Sequence, residues 1–134
     1  MKKNGFTLIE LLVVIAITAI LSAIVLFTVK DYINKGKDAS VKGNLAVLVT
    51  DGEAWYDRNN NSYDEFCGSQ AVRNAIISVP STVNCKVNDE GNAWAACAQE
   101  FSDGEKAYCV DSTGTKTDID NSACTEDITV CPEE

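Results

Sequence analysis

The sequence predicts an α+β protein. One long amino-terminal α-helix packs on a small antiparallel β-sheet head, with a short second helix. Three observations carry this reading. The 134-residue chain opens on an apolar run, within which Leu11–Val29 gives 19 residues free of charge. A second stretch places Val41, Leu45, Leu48, Gly52 and Trp55 at steps of four, three, four and three, which is one face of a helix. Beyond it, short strand-like runs alternate with turn signals and carry all six cysteines.

The first element spans 6–58. Its first half, 6–29, is apolar on all sides, as suits a helix in lipid or in a bundle of like helices. As a helix, Leu11–Val29 is roughly 28 Å long, about the hydrocarbon thickness of a bilayer. Its second half, 30–58, is amphipathic and is expected to lie under a head formed by 59–134. Gly36, Gly43 and Gly52 each weaken it by about 1 kcal/mol against alanine, and mark either close approach or flexibility. A polar loop, DRNNNSYDEFCGS, follows. Gly68–Val79 holds Ala71, Val72, Ala75, Ile76 and Val79 at helical spacing, and Pro80 ends it. Three strands are expected at Thr82–Val87, Ala93–Phe101 and Lys106–Asp111. They are joined by a turn at 88–92 and a hairpin at Ser102-Asp103-Gly104. From Ser112 onward the chain is threonine, aspartate and serine with little apolar content, and no strand is assigned there.

The formal net charge is -9. From Asn59 to Glu134 there are 14 acids against 4 bases, a balance of -10. A head this acidic does not suit phosphate-backbone binding, so nucleic acid is not an expected partner. There is no histidine and no CxxC pair. Cys67, Cys85, Cys97, Cys109, Cys124 and Cys131 therefore read as disulfides of an oxidising compartment rather than a zinc site. No Ser-His-Asp or Cys-His arrangement can form without histidine. No enzymatic activity is expected. Trp55, Tyr56, Trp94 and Tyr108 read as core.

Lys2 and Lys3 give the chain a basic start, which orients the amino end toward the cytoplasm. The apolar run is long for a secretory signal and no small-residue cleavage pattern closes it. A plain membrane anchor explains all of this except Glu10, a carboxylate in a membrane-grade segment. The string Lys2-Lys3-Asn4-Gly5-Phe6-Thr7-Leu8-Ile9-Glu10 resembles the class III signal of type IV pilins and pseudopilins. The resemblance covers about the first quarter of the chain. It implies that residues 1–5 are a leader, cut by a prepilin peptidase between Gly5 and Phe6, with Phe6 then N-methylated. It also implies a pilin-like fold, with Glu10 as the assembly glutamate. The chemistry agrees: cleavage leaves an ammonium on Phe6, and staggered helices let Glu10 of one subunit neutralise Phe6 of another. One polar pair then sets the register of an apolar bundle.

Two family features are missing. Ala19 stands where a helix-breaking glycine or proline is frequent, and Phe27 where many pilins carry proline. The first half of the helix is accordingly expected to be unbroken. For the cysteines, a three-residue hairpin loop sets Cys97 opposite Cys109, so Cys97–Cys109 is expected. Cys124–Cys131 would close a carboxy-terminal loop, as a disulfide does in many pilins. Cys67–Cys85 would then pin the second helix to the first strand.

Asp57-x-Asn59-x-Asn61 begins like a calcium loop, with Glu65 or Asp64 as a further oxygen. Ser62 and Gly68 then stand where glycine and the bidentate glutamate belong, and an asparagine-rich turn explains the run without metal. Asp111, Asp118 and Asp120 form a second acidic candidate of the same grade. No cofactor is expected, with calcium the one ion considered.

Three functions follow. The first is a structural subunit of a type IV pilus-like surface filament, a homo-oligomer. Its partners would be the prepilin peptidase, an inner-membrane assembly platform and, before assembly, membrane lipid. It would be a single-pass inner-membrane protein with its head outside, then part of an extracellular pilus. The second is a pseudopilin of a type II secretion or DNA-uptake system. The third is a membrane-anchored extracellular binding module that never polymerises.

Overall fold

The computed structural model describes residues 5–133, so Met1 to Asn4 of the expected leader lie outside the described residues. Helix α1 runs Leu8–Arg58 without interruption, through Ala19 and Phe27. A 3-10 turn at Phe66–Gly68 leads into α2, Gln70–Ile76. Strands β1 (Val83–Val87), β2 (Trp94–Gln99), β3 (Lys106–Asp111) and β4 (Lys116–Asp120) form one antiparallel sheet in sequence order. A second 3-10 turn, Asn121–Ala123, opens the carboxy-terminal segment.

The chain divides after Ile33 into two compact units, Met1–Ile33 and Asn34–Glu134. The division falls inside α1 rather than at its end. The reason is the helix face read above: Val41, Leu45 and Leu48 are fully buried and belong to the core of the second unit. In the first unit the described large apolar side chains are exposed.

The sheet of the second unit has two faces, set by strand alternation. Trp94, Ala96, Ala98 and Val110 join the three α1 residues, Tyr63, Phe66, Val72 and Val79 in the main core. The Phe66 and Trp94 rings lie 4.8 Å apart, and Trp55, Tyr56 and Tyr108 pack against the same cluster. The aromatics are core, as expected. Gly52 is a point of close approach between α1 and the sheet. A Cβ there would lie 2.8 Å from two atoms of the Trp94 indole. The opposite face gathers Ala95, Cys97, Ala107, Cys109 and Ile119, and the carboxy-terminal residues Ile128 and Cys131 cover it.

Three expectations need correction. Helix α2 is shorter than Gly68–Val79. Ser69 caps its start, its hydroxyl accepting from the Val72 amide, and that geometry leaves Gly68 outside. Strand β4 lies in the stretch read as polar tail. Its single apolar residue, Ile119, is buried while Asp118 and Asp120 face outward to Lys42 and Lys106. Two disulfides pair differently. Cys67 is bonded to Cys85, but Cys97 bonds Cys124 and Cys109 bonds Cys131. The expected Cys97–Cys109 and Cys124–Cys131 bonds are absent. Cys97 does stand opposite Cys109 in the β2–β3 register. Both point to the face that the carboxy-terminal segment crosses, and each takes its partner from that segment.

Candidate assembly site

The amino-terminal site is built by the first turn of α1. Phe6 is extended from it and exposed. Thr7 precedes the helix and Glu10 lies in its first turn. The Thr7 amide donates to Glu10 Oε2 at 2.9 Å and the Thr7 hydroxyl donates to the same oxygen at 2.7 Å. In return the Glu10 amide lies 3.4 Å from Thr7 Oγ1. This is a reciprocal capping box, Thr-x-x-Glu, which satisfies two of the donors that every helix start leaves unpaired. The residue that sequence reasoning missed is therefore Thr7. The signal was present, a threonine three residues before a glutamate at the head of an apolar run. In the uncleaved chain the Phe6 nitrogen is a peptide amide, and Glu10 is held by Thr7.

Further along, the apolar half disposes of its hydroxyls in the same internal way. Thr18 donates to the Val14 carbonyl at 3.0 Å, Ser22 to the Thr18 carbonyl at 2.7 Å and Thr28 to the Ile24 carbonyl at 3.1 Å. A helix with its polar groups satisfied inside and apolar residues on all sides suits hydrocarbon. It is long and apolar enough to cross a membrane.

In the second unit, two charged residues of α1 fix the sheet. Asp38 is buried and accepts from the Phe101 amide at 2.5 Å and the Ser102 amide at 3.0 Å. Burial alone would raise its carboxyl, but those hydrogen bonds outweigh it and hold the group below the usual range. Lys42 Nζ lies 2.8 Å from Glu100 and 2.7 Å from Asp118. Burial opposes its charge, yet these two carboxylates push the ammonium up to about 12.

The calcium candidates resolve into structural roles. Asp57 belongs to α1, and Asn59 donates its side-chain amide to the Trp55 carbonyl at 2.8 Å. Asn60, Asn61 and Glu65 take the left-handed backbone of a turn. The loop is pinned across to the 88–92 turn by the Tyr63 amide on the Gly91 carbonyl at 2.8 Å. Gly91 has φ 67°, and a Cβ there would sit 2.5 Å from Asp64 Oδ1. Of the second acidic candidate, Asp118 meets Lys42, Asp120 meets Lys106 and Asp111 is buried among backbone and hydroxyl donors. Among the described residues, no group of three or more His, Cys, Asp or Glu side chains could hold a metal ion.

A capped apolar helix start that carries one carboxylate, followed by a disulfide-stapled α+β head, defines a class: a membrane-anchored precursor with a prepilin-like amino terminus. Comparison with known proteins agrees. Residues 1–26 match the family model described as the prokaryotic N-terminal methylation motif. The type IV major alpha-pilin of Moraxella bovis is 54% identical over 48 residues, which are 36% of this chain and 30% of that protein. Fimbrial protein Q of Moraxella bovis is 54% identical over 48 residues, 36% of this chain and 31% of that protein. The match thus spans under a third of the length of these curated relatives. No solved structure matches the chain. The motif and the relatives support a subunit of the pilin and pseudopilin family.

Proposed function

We propose that the chain is a structural subunit of a type IV pilus-like surface filament. A prepilin peptidase removes residues 1–5 and Phe6 becomes the methylated amino terminus. The apolar half of α1 holds the subunit in the inner membrane until an assembly platform extracts it, and then forms the filament core. The observation that carries this reading is Glu10, set in the first turn of an apolar helix within the methylation motif. Before assembly Thr7 satisfies its carboxylate. After cleavage the Phe6 ammonium of a neighbouring subunit replaces Thr7 as its partner, and two charges that are costly in apolar surroundings neutralise each other. The subunit has a structural role and no catalytic one.

Intact-mass analysis of sheared filaments tests processing. The expected species lacks five residues and carries one added methyl, whereas a filament subunit that retains Lys2 and Lys3 overturns the proposal. Glu10→Ala tests the pairing. It is expected to insert into membrane normally and to lower filament yield about tenfold or more, since it leaves a buried ammonium unpaired. Normal yield refutes the pairing role.

One observation favours a second reading. The unbroken helix through Ala19 and Phe27 fits a pseudopilin of a secretion or DNA-uptake system, whose fibre stays short. Shearing cells separates the two: a surface pilin leaves with the sheared fraction and a pseudopilin stays with the envelope.

A further inference from the structure

Cys97 and Cys109 face each other across β2 and β3, and they are not bonded. A bond between them would close a loop of 12 residues (109 less 97), available as soon as the hairpin forms. The bonds present close 27 and 22 residues. Shorter loops close at lower entropic cost, so the hairpin bond has the advantage unless the carboxy-terminal segment is already docked.

Asp111 is placed to dock it. The residue ends β3, two positions after Cys109, and is 1% exposed. Its two oxygens do different work. Oδ1 accepts from the Thr113 hydroxyl at 2.6 Å, the Thr113 amide at 2.9 Å and the Thr115 amide at 3.2 Å, which shapes the β3–β4 turn. Oδ2 accepts from the Cys131 amide at 3.0 Å, which holds the carboxy-terminal backbone beside Cys109. A buried carboxylate with unmet oxygens is costly, so docking of the Cys131 amide on Oδ2 satisfies an oxygen that burial would otherwise penalise.

We propose that Asp111 selects the disulfide connectivity of the head. Its carboxylate captures the Cys131 backbone next to Cys109, commits Cys109 to Cys131, and so leaves Cys97 for Cys124. The covalent step is thiol–disulfide exchange with an external disulfide oxidant. One cysteine thiolate attacks the oxidant and releases a thiol. The second cysteine then displaces the other, so two protein thiols are oxidised as one oxidant disulfide is reduced. Asp111 takes no part in the exchange and acts as a positioning residue.

The test is oxidative refolding of the full chain in detergent, with glutathione disulfide as oxidant, followed by non-reducing peptide mapping. The unaltered chain is expected to give Cys97–Cys124 and Cys109–Cys131. Asp111→Asn keeps the shape but serves only one of the two donor sets. It is expected to raise Cys97–Cys109 and Cys124–Cys131 about tenfold, with Cys67–Cys85 unchanged on the other face of the sheet. Native pairing in Asp111→Asn overturns the proposal, and so does scrambling of all three bonds, which marks a general folding defect. A second measurement removes competing pairs. With Cys97→Ser and Cys124→Ser in place, Cys109–Cys131 should form about tenfold more slowly in Asp111→Asn than with Asp111. An equal rate defeats the proposal.

Discussion

The two halves of α1 are one continuous helix in two different solvents. From Leu8 to Ile33 the described large apolar side chains range from 46% exposed at Val29 to 82% at Leu8. From Val41 to Leu48 the inward-facing residues are fully buried, while Val47 on the outer face is 52% exposed. In the first half, among the described residues, Leu11–Val29 carries no charge and its large apolar side chains are exposed. The second has a narrow apolar stripe and charged residues on either side. The difference teaches that the helix ladder itself carries little of the fold's specificity. The stripe decides which half belongs to the head, and the absence of a stripe makes the other half an anchor.

The sharpest way to break the comparison is to truncate the same side chain in both halves. Leu45→Ala is expected to lower head stability by about 2–5 kcal/mol, from lost burial and the cavity left behind. Leu21→Ala removes the same atoms from an exposed position and is expected to change head unfolding by under about 0.5 kcal/mol. Denaturant titration in detergent, followed by the fluorescence of Trp55 and Trp94, measures both. Equal losses would show that the two halves unfold as one cooperative unit.

Glycines within the second half sharpen it further. Gly52 meets the Trp94 indole, so Gly52→Ala forces overpacking and is expected to cost about 1–3 kcal/mol. A Cβ added at Gly43 would meet nothing within 4 Å, and Gly43→Ala is expected to stabilise by about 0.4–1 kcal/mol. Opposite signs from two glycines on one helix separate close approach from flexibility. If both variants stabilise, the Trp94 contact does not constrain the helix.

Those glycines also show what sequence could reveal. The helix face at Val41, Leu45, Leu48 and Gly52 was legible because its pattern is local and repeats every turn. The β2–β3 register was legible from the turn signal at Asp103-Gly104, which falls between the strands, although β2 ends at Gln99 and β3 begins at Lys106, so the loop is longer than three residues. Strand β4 was not, because Lys116–Asp120 carries one buried residue and its pairing with β3 supplies the rest. The disulfides were hidden for a related reason. Their choice depends on where the segment after Ala123 crosses the sheet, and no local periodicity encodes that path. At the amino terminus the glutamate and its cleavage context were visible as a string. Thr7 was overlooked because its hydroxyl matters only through the geometry of the helix start.

A smaller effect comes from the charged residues that seat the head on the second half. The Asp38 carboxyl is held low in the folded chain. Its contribution is therefore present above its unfolded value near 3.8 and is lost as pH falls through the folded value. Asp38→Asn is expected to cost on the order of 1–2 kcal/mol at neutral pH and to flatten the acid limb of the stability curve. Asp111 also titrates low, through its Thr113, Thr115 and Cys131 donors against the burial that raises it, and contributes to the same limb. The acid limb should therefore shrink in Asp38→Asn without vanishing. An unchanged limb would mean that the Phe101 and Ser102 amides find other acceptors.

The smallest expected effect lies at the other end of the pH scale. Lys42 is raised from 10.5 to about 12 by Asp118 and Glu100 against its burial. The sign is opposite to that of Asp38: the stabilisation is complete below the unfolded value and is lost as pH rises through the folded one. Its ammonium is partly exposed, so screening limits the term to about 0.2–1 kcal/mol. The phenols of Tyr63 and Tyr108 are also pushed up by burial, and they too withdraw stability in this window. The total alkaline loss therefore does not isolate Lys42. The difference between the unaltered chain and Lys42→Met does, measured as the change in denaturant midpoint between roughly pH 9 and 11.5. The variant is expected to start slightly less stable and to lose less on going alkaline. Parallel midpoint losses in the two proteins would show that Glu100 and Asp118 are held by solvent rather than by Lys42, and that Asp38 and the apolar contacts seat this half of the helix on the sheet without it.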